Sequence, residues 1–552
     1  MFDERRQSAD NQAMSNRPPS PSGVLPTDIP PAEPPPPQTL SQNTGVVRAA
    51  AVLAVGNVAS RLLGLARETV KANLFGASGL LSAFTVAAYV PTSLFDLIIG
   101  GMVSSALVPV FSDYASHERR EELWGVVSTV LSVAAVALLV VVALVELLAP
   151  QVAWLVGARN FQDTQLTSVS IGLMRLATPV VLFLGLSSIL TAALYALHRF
   201  TLPAFTGAVF NGTIAAVALL RPSDITSLVW GLLLGSVLQV FLQLPALRDA
   251  HLRWHFDWRH PAVRRILVLY APIVAGLVIN QLAVALSYNL ATRTGDESVT
   301  FMVYATTLYQ FPLGLVVTAL SIATLPTLSQ QANGRLAEFK QTLADGVHLV
   351  LALILPATAG LFALALPIVA LLFEHGRFTH QDSLQTALVL RFYLFGLPFA
   401  AVDQMLVFAS YARKDTWRPA LVGVVSIIIY LGVAVAFLPS LSLLSLMLAD
   451  AVKHFTHTLI MLWLLRRHLG QHKGFIWSAA LWKSLLAALA TGAAAYGVTT
   501  WLDGRLTAGF VGKGLMVGLP GLAGVGVYVL AVLLLDIQEV RLFRQLARHK
   551  RP

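Results

Sequence analysis

Cysteine is absent from this 552-residue chain, and charge is scarce. Without thiols there is no disulfide, no thiol nucleophile and no Cys-ligated zinc. Only 12% of the residues are charged against 56% hydrophobic, with a mean hydropathy of +0.71. That composition excludes a soluble globular protein, in which about a quarter of residues carry charge. No Walker-type phosphate loop or hydrolytic triad is recognisable, and the thirteen histidines show no metal-ligand spacing. The sequence therefore predicts no enzyme, no cofactor and no metal. The remaining charge is lopsided, with 38 Lys and Arg to 28 Asp and Glu for a net +10. The basic residues are scattered over short loops instead of gathered on one segment, which points to membrane topology and away from nucleic acid.

Long apolar runs are what the chain has in abundance. Requiring about 20 apolar residues per span, the sequence predicts an all-α integral membrane protein of fourteen helices. They fall near 48–75, 80–112, 122–148, 166–198, 203–221, 225–247, 263–292, 299–329, 339–373, 382–410, 417–438, 440–468, 475–502 and 511–537. Gly100, Gly101 and Pro109 in the second, and Pro312 and Pro326 in the eighth, are points where the backbone needs help from neighbours. An even count puts both termini on one side. With loops assigned alternately, 25 Lys and Arg fall on that side, 6 on the other and 7 within spans, from Arg61 to Lys483. By the positive-inside rule the protein is expected to be multi-pass, with both termini cytoplasmic. Residues 251–260, which hold His251, His255 and His260 among Trp254, Phe256 and Trp258, read as an interfacial belt.

The chain repeats itself. Tyr195, Ala196, Pro203, Ala204 and Gly207 recur as Tyr411, Ala412, Pro419, Ala420 and Gly423, at an offset of 216. Ser104, Ala106, Pro109 and Ser112 recur as Ser321, Ala323, Pro326 and Ser329, at an offset of 217. Such an offset spans six helices, so the halves share orientation. The expected organisation is an N-terminal six-helix bundle (46–250), a C-terminal six-helix bundle (251–470) and two extra helices with a basic cytoplasmic tail (471–552). Ahead of them, residues 1–45 hold ten prolines between Pro18 and Pro37 and no apolar run. This arm is expected to be disordered and cytoplasmic. It has no signal-peptide h-region, and it is either a solvated tail or a docking arm for a proline-binding partner.

An ionisable group inside a span costs at least a few kcal/mol unless it meets water or a partner. Arg61, Arg67 and Lys71 share a sector of the first helix, with Arg61 and Arg67 about 9 Å apart along the axis. Guanidinium suits phosphate through its planar fork of donors. Ser60 and Gly64 beside them suit a protein-facing surface. The alternative for Arg67 is an ion pair with Glu68 or a facing carboxylate, and for Lys71 a snorkel to the interface. Asp96 in the second helix is either a coupling carboxylate or the charge partner of an arginine. Asn280, Gln281 and Gln310 either line a cavity face of the second bundle or bridge helices. Arg175, Arg391, Lys453, Lys483, Asp403, Asp450 and Glu146 are further charges in or near spans.

Four segments carry a family resemblance. Ser60-Arg61-Leu62-Leu63-Gly64-Leu65-Ala66-Arg67-Glu68 resembles the first-helix signature of the MurJ (MviN) family, flippases of the peptidoglycan precursor lipid II. Gln310-Phe311-Pro312-Leu313-Gly314 through Ser329, Leu372-Phe373-Glu374-His375-Gly376-Arg377-Phe378-Thr379, and Tyr411 through Pro419 are similar to its other hallmarks. The resemblance covers about residues 46–540. It implies the multidrug/oligosaccharidyl-lipid/polysaccharide exporter superfamily, a cavity in which Arg61 and Arg67 meet a substrate pyrophosphate, and a groove for the polyprenyl tail at helices 13 and 14. The chain departs from the family pattern at Ser82, Phe95, Asp96, Gly100, Thr306, Thr307 and Gln310, where acidic or basic residues are usual. The leading expectation is a monomeric flippase of an undecaprenyl-pyrophosphate-linked precursor, lipid II, coupled to membrane potential or an ion. Three alternatives stand beside it: a flippase of another lipid-linked oligosaccharide, a cation-coupled drug exporter using Asp96, and a non-transporting scaffold whose proline-rich arm recruits cell-wall synthesis proteins.

Overall fold

A computed structural model of the protein describes residues 40–332, 334–469, 479–506 and 509–535, and among these every regular element is helical. Residues 1–39 of the proline-rich arm and the basic tail from 536 lie outside the described residues. Residues 40–45, assigned to the arm by composition, are helical, since the last proline is Pro37 and nothing after it breaks a helix. Two compact units are distinguished, Met1–Ala51 and Val52–Pro552.

Among the described residues, fourteen long helical segments follow one another. They are α1 (Ala50–Phe75), α2 (Gly79–Ser112), α3 (Arg120–Leu147), α4 (Thr164–Ala196), α5 (Thr206–Leu220), α6 (Thr226–Leu247) and α7 (Pro261–Ala291). After these come α8 (Ser298–Gln331), α9 (Leu336–Ala363), α10 (His380–Leu394 and Leu397–Ala412), α11 (Trp417–Leu441), α12 (Leu444–Leu469), α13 (Leu481–Leu502) and α14 (Phe510–Leu534). Ten are long and apolar enough to cross a membrane, or twelve when the two bent helices are each taken as one span. The bends are 57° in α7, ahead of Gly276, and 45° in α10, at residues 395–396. The other two segments are α5, an apolar helix of 15 residues, and α12, which carries Asp450, Lys453, Arg466 and Arg467.

The sequence repeat reappears in the helix ends. Arg120–Leu147 and the short helix Ala149–Val156 recur, 216 positions on, as Leu336–Ala363 and Ala365–Leu372. The wide π-turn Asp96–Gly100 in α2 recurs 217 positions on as Leu313–Val317 in α8. A proline removes a backbone donor and clashes with the carbonyl one turn back. The wide turns follow Pro91 and Pro312 along their helices, and such turns gather at functional sites.

Packing explains two features of the sequence. A continuous buried core runs from Ala72 on α1 to Leu465 on α12, while a second joins the far ends of α2, α3 and α4 to the start of α7. On α1, Gly56 lies against Ala204, Ser60 against Gly207 and Gly64 against Asn211. These contacts at intervals of four are a small-residue seam, which lets two backbones approach closely. A methyl group on Gly56 would collide with the Ala204 carbonyl. Helices α13 and α14 pack on α9 through Ala487, Val532 and Ala352, where the Tyr528 hydroxyl donates to the Ala352 carbonyl.

Candidate functional site

The basic sector of α1 faces a cavity of about 540 Å³ lined by Ser60, Arg61, Arg67, Asn211, Gln310 and Pro312, with Leu361, Ile368 and Leu372 on its apolar side. The walls come from α1 and α5 in one repeat and from α8, α9 and the short helix after it in the other. The arginines differ in their bonding. Arg67 donates from Nε and Nη2 to Glu68 Oε1, at 3.0 and 2.6 Å, and from Nη1 to Asn211 Oδ1 at 2.8 Å. Asn211 donates in turn to the Ser60 carbonyl at 3.2 Å. Arg61 makes no hydrogen bond or ion pair among the described residues, and its guanidinium lies against Gly314, where a methyl group would collide with it. Gly314 belongs to the π-turn of α8. The segments Ser60–Glu68 and Gln310–Gly314, separated by more than 240 positions, thus face each other across one cavity.

Lys71, for which the sequence leaves open a substrate contact or a snorkel to the interface, does not line this cavity. It is buried and donates to Glu68 Oε2 at 2.8 Å, with its ammonium 5.6 Å from the Phe84 ring. Glu68, itself 3% exposed, serves Arg67 and Lys71 together, because a carboxylate has two acceptor oxygens. Asp96 does not neutralise the arginines: its carboxylate accepts from Gln281 Nε2 at 3.3 Å, and the acid beside Arg67 is Glu68. Gln281 is a bridge between α2 and α7, accepting from the Tyr89 hydroxyl at its carbonyl (2.6 Å) and at Oε1 (3.1 Å). Where the usual family pattern is acidic, the Ser82 and Thr300 hydroxyls are hydrogen-bonded at 2.9 Å and join α2 to α8.

A second cavity of about 490 Å³ holds Asn280, as well as Asp403, Asp450, Lys453, His454 and His457; Gln310 lines both cavities. The histidines and Asn211 were missed in the sequence. Their signal was there in the stripe Asp450, Lys453, His454 and His457, at i, i+3, i+4 and i+7 of one helix, and in a lone asparagine within the apolar α5.

Outside the spans, the segment Leu372–Thr379 is tied to α14. Lys513 donates to the Glu374 carbonyl at 2.7 Å and lies 3.3 Å from its carboxylate. Burial pushes the Glu374 carboxyl up, but hydrogen bonds from Ser383 and His380 and the Lys513 ammonium outweigh it and hold the group below the usual glutamate value.

Comparison with known proteins agrees with this arrangement. The family model "Lipid II flippase MurJ" matches residues 71–517. The chain belongs to this MurJ family. Arg61 and Arg67 lie just ahead of the matched stretch. The Burkholderia cenocepacia lipid II flippase MurJ is 31% identical over 379 residues, which cover 66% of this chain and 73% of that protein. The probable lipid II flippase of Rhizobium meliloti is 29% identical over 477 residues, covering 83% and 87%. A solved MurJ in an inward closed conformation superposes with a TM-score of 0.73 at 24% identity, over 87% of this chain and 98% of that one. An inward-facing MATE family transporter of the MOP superfamily gives 0.61 at 13% identity, over 74% and 94%. At these identities the structural likeness speaks for the fold.

Proposed function

We infer that the protein moves lipid II, the undecaprenyl-pyrophosphate-linked peptidoglycan precursor, across the bacterial cytoplasmic membrane by alternating access. The observation that carries this reading is Arg61, a cation without a partner among the described residues, in a cavity between the two repeats of a MurJ family protein. A guanidinium kept inside a span at such cost is explained when a substrate anion supplies the missing charge. Arg61, Arg67, Lys71 and Glu68 together leave α1 two positive charges in excess, which a pyrophosphate diester would neutralise. In this mechanism Arg61 and Arg67 hold the pyrophosphate, Gln310 offers an amide to the adjoining sugar, and the apolar wall of Leu361, Ile368 and Leu372 faces the lipid portion. The bundles 46–250 and 251–470 rock about the cavity while 471–552 supports the tail. No bond is made or broken, so the protein acts as a transporter and not as an enzyme.

Both termini are assigned to the cytoplasm by the 25 to 6 distribution of basic residues. The protein acts as a monomer, and the arm 1–45 is dispensable for flipping. Family membership favours lipid II over another lipid-linked oligosaccharide, a cationic drug or a scaffold role. The test is complementation of cells depleted of their own lipid II flippase. Growth restored by the full chain and by a chain lacking residues 1–39 is expected. Failure of a well-expressed full chain, with rescue of a strain lacking a different lipid-linked glycan flippase, would overturn the assignment of lipid II.

A further inference from the structure

The second cavity has no part in the mechanism above, yet it contains a dense group of titratable side chains. Asp450, Lys453, His454 and His457 line one face of α12 and meet Asp403 on α10. Lys453 donates to Asp450. His454 stands between the acids, with Nε2 3.7 Å from Asp450 Oδ2 and Nδ1 4.0 Å from Asp403 Oδ2. His457 Nδ1 is hydrogen-bonded to Asp403 Oδ1. The contacts form one unbroken chain, Lys453, Asp450, His454, Asp403 and His457. Among the described residues the neighbouring helices bring no further charge to this cavity: α7 adds Tyr288, α8 adds Tyr309, the first part of α10 adds Tyr393 and α11 adds Tyr430.

Charge balance gives the group its meaning. Two carboxylates and one ammonium leave a net charge of −1 while both imidazoles are neutral. One proton on the histidine pair brings the group to zero, and a second takes it to +1. The side chains are between 12% and 27% exposed, and charge that is poorly hydrated is costly unless balanced. One added proton therefore balances the group. With the Asp403 carboxylate accepting at His457 Nδ1, Nε2 is the atom left to bind or release it. A second, independent feature points to a small polar occupant: the Tyr309 hydroxyl, on the wall of this cavity and 5% exposed, has no hydrogen-bond partner among the described residues.

We propose that the second cavity is a proton-binding site, formed by His457 and His454 with Asp403 and Asp450, whose occupancy is communicated to Arg61 through α8. Water in the cavity delivers the proton to His457 Nε2, converting imidazole to imidazolium with no other bond changed. The connection is short. Gln404, next to Asp403, donates to the Thr318 hydroxyl at 3.0 Å, and that hydroxyl donates to the Leu313 carbonyl at 3.2 Å. This clamps the π-turn Leu313–Val317, whose Gly314 touches Arg61. Tyr309 and Gln310, on the turn before, line the proton site, and Gln310 also lines the anion cavity. A wide turn is an element whose hydrogen-bond register can change, so it supplies the two-state part that coupling between sites requires.

The transport arm of the test rests on the flippase reading; the titration arm does not. In the first, proteoliposomes of full-length protein flip a fluorescent lipid II analogue between pH 5 and 8. The wild type is expected to change rate by about tenfold, and the His454→Gln, His457→Gln double variant to give a flat profile. An unchanged profile in a folded variant overturns the proposal. In the second, ¹⁵N-histidine spectra of the protein in nanodiscs, with signals assigned by each single His→Gln change, follow protonation directly. His454 or His457 is expected to titrate, and Lys453→Met to raise the midpoint by ~1 pH unit through loss of a neighbouring positive charge. If neither histidine titrates between pH 4 and 9, or Lys453→Met leaves the midpoint in place, the proton site is refuted. Titration without lipid II flipping would instead support the proton site and reject the flippase reading.

Discussion

The two cavities differ in how their charge is balanced. In the second, Asp450 meets Lys453 and His454 while Asp403 meets His454 and His457, so a single proton on the histidine pair completes the balance inside the protein. In the first, Glu68 compensates only part of the charge on Arg67 and Lys71, and Arg61 is left over against Gly314. Internal balance makes a group part of the fold, answerable to protons. Imbalance makes it wait for a ligand. The same helix α1 thus holds both kinds of charge, six residues apart: Arg67 is tied to Glu68 and Asn211 while still bordering the cavity, and Arg61 stands open.

The contrast predicts that compensated charges matter for stability and the open one for transport. The largest effect is expected at Glu68. Glu68→Gln strands a buried Lys71 and should cost about 3–5 kcal/mol, read as a large fall in the melting temperature of detergent-solubilised protein. Arg61→Ala should leave that temperature unchanged or higher, and a loss of stability equal to that of Glu68→Gln would erase the distinction. Gly56→Ala is next, at about 1–3 kcal/mol, because its methyl meets the Ala204 carbonyl and the α1–α5 seam must open. Gly314→Ala is expected to slow lipid II flipping about tenfold, equivalent to about 1.4 kcal/mol, with little change in melting, since the guanidinium of Arg61 is a movable obstacle.

The smallest effect belongs to the tie between Glu374 and Lys513. The Glu374 carboxyl is held below its usual value in the folded protein, so its contribution is full above the unfolded-state pKa and is lost as pH falls through the folded one. Glu374→Gln should cost ~1 kcal/mol near pH 7, with the gap to the wild type closing below about pH 4.3. Melting curves at pH 7.5 and pH 4 measure it.

Properties that depend on one stretch of chain could be read from the sequence. The spans follow from apolar length, the repeat from offsets of 216 and 217, and the interest of Arg61 and Arg67 from the cost of charge at that depth. Ser60 and Gly64 likewise mark a protein-facing surface in the sequence, whereas Gly56 joins their seam only through its contact with Ala204. Properties that depend on which distant residue arrives at a side chain could not. Gln281 was a candidate cavity amide, but Tyr89 and Asp96 from α2 claim it. Lys71 shared a sector with the arginines, yet Glu68 turns it into the core. His454 and His457 acquire their role only because α10 brings Asp403 across from 51 and 54 positions away. The bends of α7 and α10 were likewise hidden, because a bent span has the same composition as a straight one.

The most direct test of the uncompensated site is lipid II flipping by the Arg61→Ala, Arg67→Ala double variant in proteoliposomes, beside wild type matched for folded protein and membrane potential. Translocation is expected to fall to the level of protein-free vesicles while the melting temperature shows the fold intact. A folded double variant that flips at the wild-type rate would contradict the account.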